Sequence, residues 1–217
     1  MRNAQKIASV LLAVLFVAVG FSQSVRAQET IKLPAPEMSG GMPLMDALAK
    51  RQSTRLFGDQ NLSPQQISNL LWAAFGINRP ESGGRTAPSW RGSNETDIYL
   101  ATATEVRLYD PKANELRKIM DGDIRAKTSV LPFVRNAPVV LIYVADRTRM
   151  AKASDEEHIQ NAHVDAAIIA ENAYLFAASA GLGTVVLGSV DRKSLSQTLK
   201  LRGDQILTYT QPVGHPK

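Results

Sequence analysis

Cysteine is absent from the sequence. Its absence excludes disulfides, thiolate nucleophiles, and zinc or iron–sulfur sites built on thiolates. Histidine is scarce: His158, His163 and His215 are the whole set. His158 and His163 lie five apart, not the four that would bring them onto one helical face, so no metal-binding pattern is present. Asp165 is near His163 in sequence but falls on a different helical face. No Gly-x-Ser-x-Gly occurs, so an esterase-type nucleophile elbow is excluded. Internal repeats and low-complexity tracts are lacking too. Apolar runs are short. The longest, residues 10–21, contains no acidic residue but falls short of a full membrane span.

That run, preceded by Arg2 and Lys6 and followed by Val25-Arg26-Ala27, has the three parts of a secretory signal. Residues 1–27 are therefore expected to be cleaved, giving a periplasmic or secreted protein, with an uncleaved N-terminal tether as the alternative. Cleavage removes Arg2, Lys6 and Arg26 and leaves 22 basic against 20 acidic residues, so the net charge falls from +5 to +2. A nucleic-acid partner then loses its electrostatic support. The remaining length suits one domain, residues 43–217, preceded by a Pro- and Gly-containing extended arm at 28–42.

Within the domain, apolar spacing predicts a short helix at 44–49. A longer one opens at Ser63-Pro64 and carries Ile67, Leu70, Leu71, Ala74 and Phe75 to a stop at Gly76. Trp72 on it reads as packing. Residues 78–94 have little periodicity and read as a long loop, of the kind that is functional or disordered. Three strands at 97–103, 106–109 and 115–118 suggest a meander. Residues 137–145 form a near-continuous apolar run, expected as a buried central strand. A long helix rich in alanine is predicted at 161–180, with Asp155-Glu156-Glu157 as a solvated helix start. Gly181 stops it, and Gly183 sits in a tight turn. A buried strand at 184–187, a helix capped by Asp191 and a final strand at 205–213 complete the chain. Helices and strands mix without regular alternation, which makes the fold class α+β.

One stretch carries more chemistry than the rest. In Lys50-Arg51-Gln52-Ser53-Thr54-Arg55, the residues Arg51, Ser53 and Arg55 alternate. In extended geometry alternate side chains point the same way, so two guanidinium forks and a hydroxyl converge on one anion, with phosphate the best match. A solvated basic helix end accounts for the same residues. The run Gly181-x-Gly183-x-x-x-x-Gly188 fails as a dinucleotide fingerprint, because the helix comes before the strand instead of after it.

Arg51-x-Ser53-x-Arg55-x-Phe57 resembles the opening signature of the nitroreductase family. Three further stretches match in order: Arg85-Thr86-Ala87-Pro88-Ser89, Gly181-Leu182-Gly183-Thr184-Val185-Val186-Leu187-Gly188, and Pro212-Val213-Gly214-His215-Pro216. The nearest likeness is to the dehydrogenase subunits of thiazole- and oxazole-forming peptide synthetases. The resemblance implies a central mixed or antiparallel sheet flanked by helices, with the Ala-rich helix at a dimer interface. It implies FMN as cofactor. Arg51, Ser53 and Arg55 would hold the phosphate and Gln52 the ribityl chain or ring edge. Pro88, Ser89 and Asn94 would line the isoalloxazine, and Gly188 and Ser189 would meet N5, with Trp90 stacking near the flavin or covering the loop. No side chain is required as acid or base. Hydride would pass from a reduced donor such as NAD(P)H to a nitro compound or quinone. A homodimer with shared flavin sites follows, the arm at 28–42 wrapping the partner. Gly92 and Asn94 stand where relatives carry Asn and Gln, His215 stands where they often carry Tyr, and only Lys217 follows Gly-x-Pro. These departures leave open a degenerate, non-catalytic flavin-binding or interaction protein.

Overall fold

The computed structural model describes residues 29–217. The signal at 1–27 lies outside the described residues. Seven strands form one sheet in the order β1-β6-β5-β4-β7-β9-β8. In chain order these are β1 (Thr30–Lys32), β4 (Thr96–Ala101), β5 (Glu105–Asp110), β6 (Glu115–Asp121), β7 (Val139–Asp146), β8 (Gly183–Thr184) and β9 (Gln205–Gly214). A separate two-stranded hairpin, β2 (Ile77–Arg79) and β3 (Gly84–Arg85), stands apart from it. All strand pairings are antiparallel. Among the described residues four α-helices accompany the sheet: α1 (Leu44–Lys50), α2 (Pro64–Phe75), α3 (Asp155–Ser179) and α4 (Arg192–Leu199). No described helix is long and apolar enough to cross a membrane.

β7 shows why the sheet is covered on both faces. Val139, Leu141 and Tyr143 point into the cluster shared with α2 and α3. Val140, Ile142 and Val144 point into the opposite cluster, with Leu195 and Leu199 of α4 and Val134 of the segment before β7. A strand buried on both faces reads as a continuous apolar run, as this one does. α2 starts as its sequence dictates: Ser63 Oγ accepts Gln66 N–H at 3.1 Å and Gln66 Oε1 accepts Ser63 N–H at 2.9 Å. This reciprocal box satisfies two amides that the helix leaves without partners.

α3 is longer than its apolar pattern suggests. It begins at Asp155, where Ser154 and Glu157 form a second capping box. Its alanines are not spread evenly over two faces. Ala166, Ala170, Ala173 and Ala177 are all buried in this chain's own core, whereas Val164, Ala167 and Glu171 are exposed. Small residues let the helix lie close on the sheet, and Gln211 on β9 reaches it to donate from Nε2 to Ala170 O at 3.2 Å.

Three expectations are corrected. Residues 28–42 are not merely a polar arm: β1 pairs with β6, and Leu33 is buried in the main core. Residues 78–94 are not featureless, since they hold the β2–β3 hairpin and a 3-10 turn at Trp90–Gly92. The strand expected at 184–187 pairs only at Gly183–Thr184 and again through a single bridge from Leu187 to Thr210.

Candidate active site

After α1, the chain runs extended along the free side of β8. Ser53 bridges Thr184 in parallel, Thr54 N donates to Thr184 O at 2.9 Å, and Phe57 bridges Pro216. Phe57 is buried in the core and fixes the far end. The segment therefore has the alternation that makes Arg51, Ser53 and Arg55 neighbours. Gln52, Ser53 and Arg55 are exposed and Arg51 half-buried. Thr54 explains Gly183: a Cβ there would meet Thr54 Cγ2 at 2.5 Å. Gly183 is thus set by close packing of two strands, not by a turn. The turn belongs to Gly181, with φ +68°.

Tyr174 organises this edge, and the sequence reading passed over it. Its hydroxyl accepts Val186 N–H at 2.9 Å and shares a 3.0 Å hydrogen bond with Ser53 Oγ. The Arg51 guanidinium lies 5.3 Å from its ring centroid, a cation–π contact. Tyr174 therefore ties the Arg-x-Ser-x-Arg segment to the chain leading to Gly188. Lys50, Gln52, Thr54, Tyr174, Thr184 and Pro216 line a cleft of about 180 Å³ there.

Gly188 and Ser189 are exposed where the chain leaves the sheet. Neither of their N–H groups finds an acceptor among the described residues. Ser189 O is engaged, accepting Val130 N–H at 3.0 Å and the Ser129 hydroxyl at 2.8 Å, so the segment before β7 supports this corner. The result is a rigid backbone corner presenting free donors.

The loop of Pro88, Ser89 and Asn94 is held elsewhere. Arg85 Nη1 donates to Phe75 O at 3.1 Å and its guanidinium covers the Phe75 ring, while Thr86 Oγ1 donates to Trp72 O. The first half of the Arg-Thr-Ala-Pro-Ser motif is thus a staple onto α2. Beyond it Pro88 is exposed, and Ser89 Oγ accepts Asn94 N–H at 2.9 Å. The Asn94 amide turns back to Gly92 O at 3.3 Å. Trp90 lies between the Arg91 guanidinium and the His158 ring edge. Among the described residues, none of this loop's hydrogen bonds or ring contacts runs to Arg51–Arg55 or to Gly188–Ser189. It sits at the head of β4, three strands from β8.

The buried carboxyls Glu95 and Asp165 were also missed. Asp165 Oδ2 accepts Trp90 N–H at 2.6 Å, and its carboxyl meets that of Glu95. Burial pushes the Asp165 carboxyl up to about 7; the Trp90 N–H works against that shift and Glu95 adds to it. The only local signal was the run of polar residues within 89–95. His158, expected at the surface or hydrogen-bonded, is buried and bonded to Ala151 O and Arg147. Among the described residues no His/Cys/Asp/Glu cluster could hold a metal ion.

Comparison with known proteins agrees with this geometry. The profile described as the Nitroreductase family matches residues 48–215. A crystal structure from Ralstonia eutropha JMP134, titled as a nitroreductase, is 38% identical, with a TM-score of 0.81, over 89% of this chain and 92% of that one. A Methanocaldococcus jannaschii protein named as a nitroreductase is 28% identical over 86% of this chain and 97% of its own length. A Desulfovibrio desulfuricans protein, titled as a nitroreductase in complex with FMN, shares the fold at 23% identity and a TM-score of 0.59, over 82% of this chain and 88% of that one. This chain belongs to the nitroreductase family.

Proposed function

We propose that the protein is an FMN-dependent oxidoreductase that passes hydride from a reduced donor, NAD(P)H in the first instance, to an electron-poor acceptor such as a nitro compound or quinone. The observation that carries this is the β8 edge. There Arg51, Ser53 and Arg55 lie in one extended segment, tied through Tyr174 to a corner whose Gly188 and Ser189 N–H groups are free. The donor set fits a flavin mononucleotide: charged forks for a phosphate at one end, backbone donors for a ring edge at the other. FMN is the ligand named for the Desulfovibrio relative.

When bound, FMN supplies the two-electron chemistry at N5. The protein's part is to bind and orient. Arg51 and Arg55 neutralise the phosphate, and stacking on Tyr174 limits the rotamers open to Arg51. With the Tyr174 hydroxyl donating to Ser53 Oγ, the Ser53 proton is free to point at a phosphate oxygen. Gln52, exposed beside them, would meet the ribityl chain or ring edge. The Gly188 and Ser189 N–H groups would serve the N5 edge. Pro88, Ser89 and Asn94 form a wall, and Ser89 keeps its proton for an outside acceptor because its oxygen already serves Asn94 N–H.

The reading includes a homodimer, expected from the family resemblance, in which the loop of one subunit completes the site of the other. Apolar residues left exposed on α1 (Leu44, Met45, Leu48) and α3 (Ile159, Val164), together with Leu56, supply the interface. Export to the periplasm or beyond, resting on residues 1–27, is part of the same proposal. Its check is the N-terminal sequence of the purified protein.

The visible spectrum is the direct test. Protein reconstituted with FMN should show bound-flavin absorbance that bleaches with NAD(P)H and returns with a nitro or quinone acceptor. A preparation that never takes up FMN removes the proposal. The turned-back Asn94 amide favours a second reading, a flavin-binding protein without turnover. A preparation that bleaches with dithionite and not with any reduced donor selects it.

A further inference from the structure

The corner at Gly188–Ser189 leaves the sheet between two layers of side chains. On the α3 face, Tyr209 of β9 packs against the main cluster. A Cβ placed on Gly188 would lie 3.8 Å and 4.0 Å from Cε1 and Cδ1 of that ring, so the ring stands directly beside this backbone. His163 of α3 meets the Tyr209 ring edge-on, with centroids 5.0 Å apart and planes at 74°. From the other face, Val130 N–H donates to Ser189 O at 3.0 Å, and Leu131 next to it packs into the opposite cluster. The Val130 side chain itself is left 69% exposed.

These three side chains have capacity that the fold does not use. His163 and Tyr209 are half-buried. Among the described residues, neither the His163 ring nitrogens nor the Tyr209 hydroxyl has a hydrogen-bond partner, and none of these atoms is sealed from solvent. Burial, and then the Arg192 charge, hold the His163 ring below the usual imidazole range. Near pH 7 it therefore offers one N–H without a charge. Arg192 itself is spent: it donates to Leu207 O at 3.2 Å and to Thr208 O at 2.8 Å, the two carbonyls before Tyr209.

We propose that Val130, Tyr209 and His163 form the acceptor subsite of this corner, and that it takes a flat, uncharged aromatic acceptor of the quinone class. The inference rests on the flavin function proposed above.

An aromatic ring and an exposed apolar side chain on either side of a backbone corner suit a flat apolar body. The His163 N–H donates to a carbonyl oxygen of the quinone. Negative charge gathers on that oxygen as hydride arrives, and a fixed donor there stabilises it. Quinone, hydride and one proton from water make the hydroquinone, so no further reactant is needed. An anionic acceptor gains no charge partner from these three residues.

Menadione, a quinone that oxidised flavin cannot reduce, is the probe. The chain has three histidines, so proton NMR of FMN-loaded, oxidised protein should resolve three ring Cε1–H signals. His163→Phe keeps a ring against Tyr209 and identifies the His163 signal by its loss. Menadione should move that signal and leave those of His158 and His215 in place. His163→Phe should weaken menadione binding about fivefold, the share of one neutral hydrogen bond, without changing FMN affinity. It should slow reoxidation of the reduced flavin by menadione about tenfold and leave reoxidation by ferricyanide, which takes single electrons and needs no N–H, unchanged. Val130→Asp, a change at an exposed position, should weaken menadione binding about tenfold by setting a charge against an apolar ring. A silent His163 signal overturns the subsite, as does menadione binding that is unchanged in both variants. Equal slowing with menadione and ferricyanide reduces His163 to a structural role and overturns its part. If the protein takes up no FMN, the flavin reading falls and takes the subsite with it; if FMN binds and His163 stays silent, the subsite alone falls.

Discussion

Arg51 and Arg55 set the sharpest residue-scale expectation. Replacing either by Ala removes a charge-assisted contact worth about 1.5–3 kcal/mol, so FMN affinity should fall roughly ten- to hundredfold. Titration of FMN fluorescence against each variant measures it; unchanged affinity in both would return the segment to a solvated basic helix end. Tyr174→Phe should act on two quantities at once. It leaves Val186 N–H without its acceptor, at a cost of about 1–3 kcal/mol in denaturant unfolding, and it releases Ser53. Asp165 adds a pH dependence whose sign is fixed. Its folded-state pKa is raised, so between about pH 4 and 7 the folded chain binds more protons than the unfolded one. Stability should therefore fall as pH rises through that window, by up to about 1.4 kcal/mol per pH unit, and Asp165→Asn should flatten the slope. The arginines were legible in the sequence because alternation is local. Tyr174, Glu95 and Asp165 were not, because their partners lie far along the chain and only the fold brings them together.

Elements were legible where pattern and boundary signals agreed. α2 carried an N-cap, a proline and an apolar stripe, and β7 an apolar run long enough for burial on both faces. Both form where the sequence placed them. The start of α3 was legible only as the acidic run Asp155-Glu156-Glu157, because its first turns are polar; the capping box Ser154-x-x-Glu157 was the sharper signal. Ser154→Ala should cost about 1 kcal/mol by removing the cap. β1 and the β2–β3 hairpin are short, and pairing rather than periodicity defines them. The 184–187 stretch has strand composition, yet it leaves the ladder after Thr184 because the chain turns out to present Gly188. At Gly183 the close approach of Thr54 makes a specific demand. Gly183→Ala should destabilise by about 1–3 kcal/mol through overpacking. It should also weaken FMN binding, since the Arg51–Arg55 segment must move to make room. Urea melts and FMN titration of that variant separate the two effects.

At the scale of the whole molecule the question is which faces remain for a partner. The expected alanine seam proves inward-facing: Ala173 is fully buried in this chain, so a charge there would unfold the protomer before it could report on a dimer. The exposed face of α3 offers Ala167 instead. Ala167→Glu should leave the protomer folded, shift light scattering from dimer to monomer at micromolar concentration, and lower FMN occupancy with it. A flavin-loaded wild-type monomer would dispose of the shared site. The sheet's other margin has its own consequence. β1 is three residues long, and it is what covers the outer edge of β6: Thr30, Ile31 and Lys32 face Arg117, Leu116 and Glu115, while Glu29 O accepts from Lys118 N–H and the buried Arg107. A protease nick after Leu33 would strip that cover. It would lay bare a row of unpaired amides and carbonyls, a template for strand addition by any neighbouring chain. The clipped protein should turn turbid on standing, and a synthetic peptide spanning residues 29–33 should dock in trans and keep it clear.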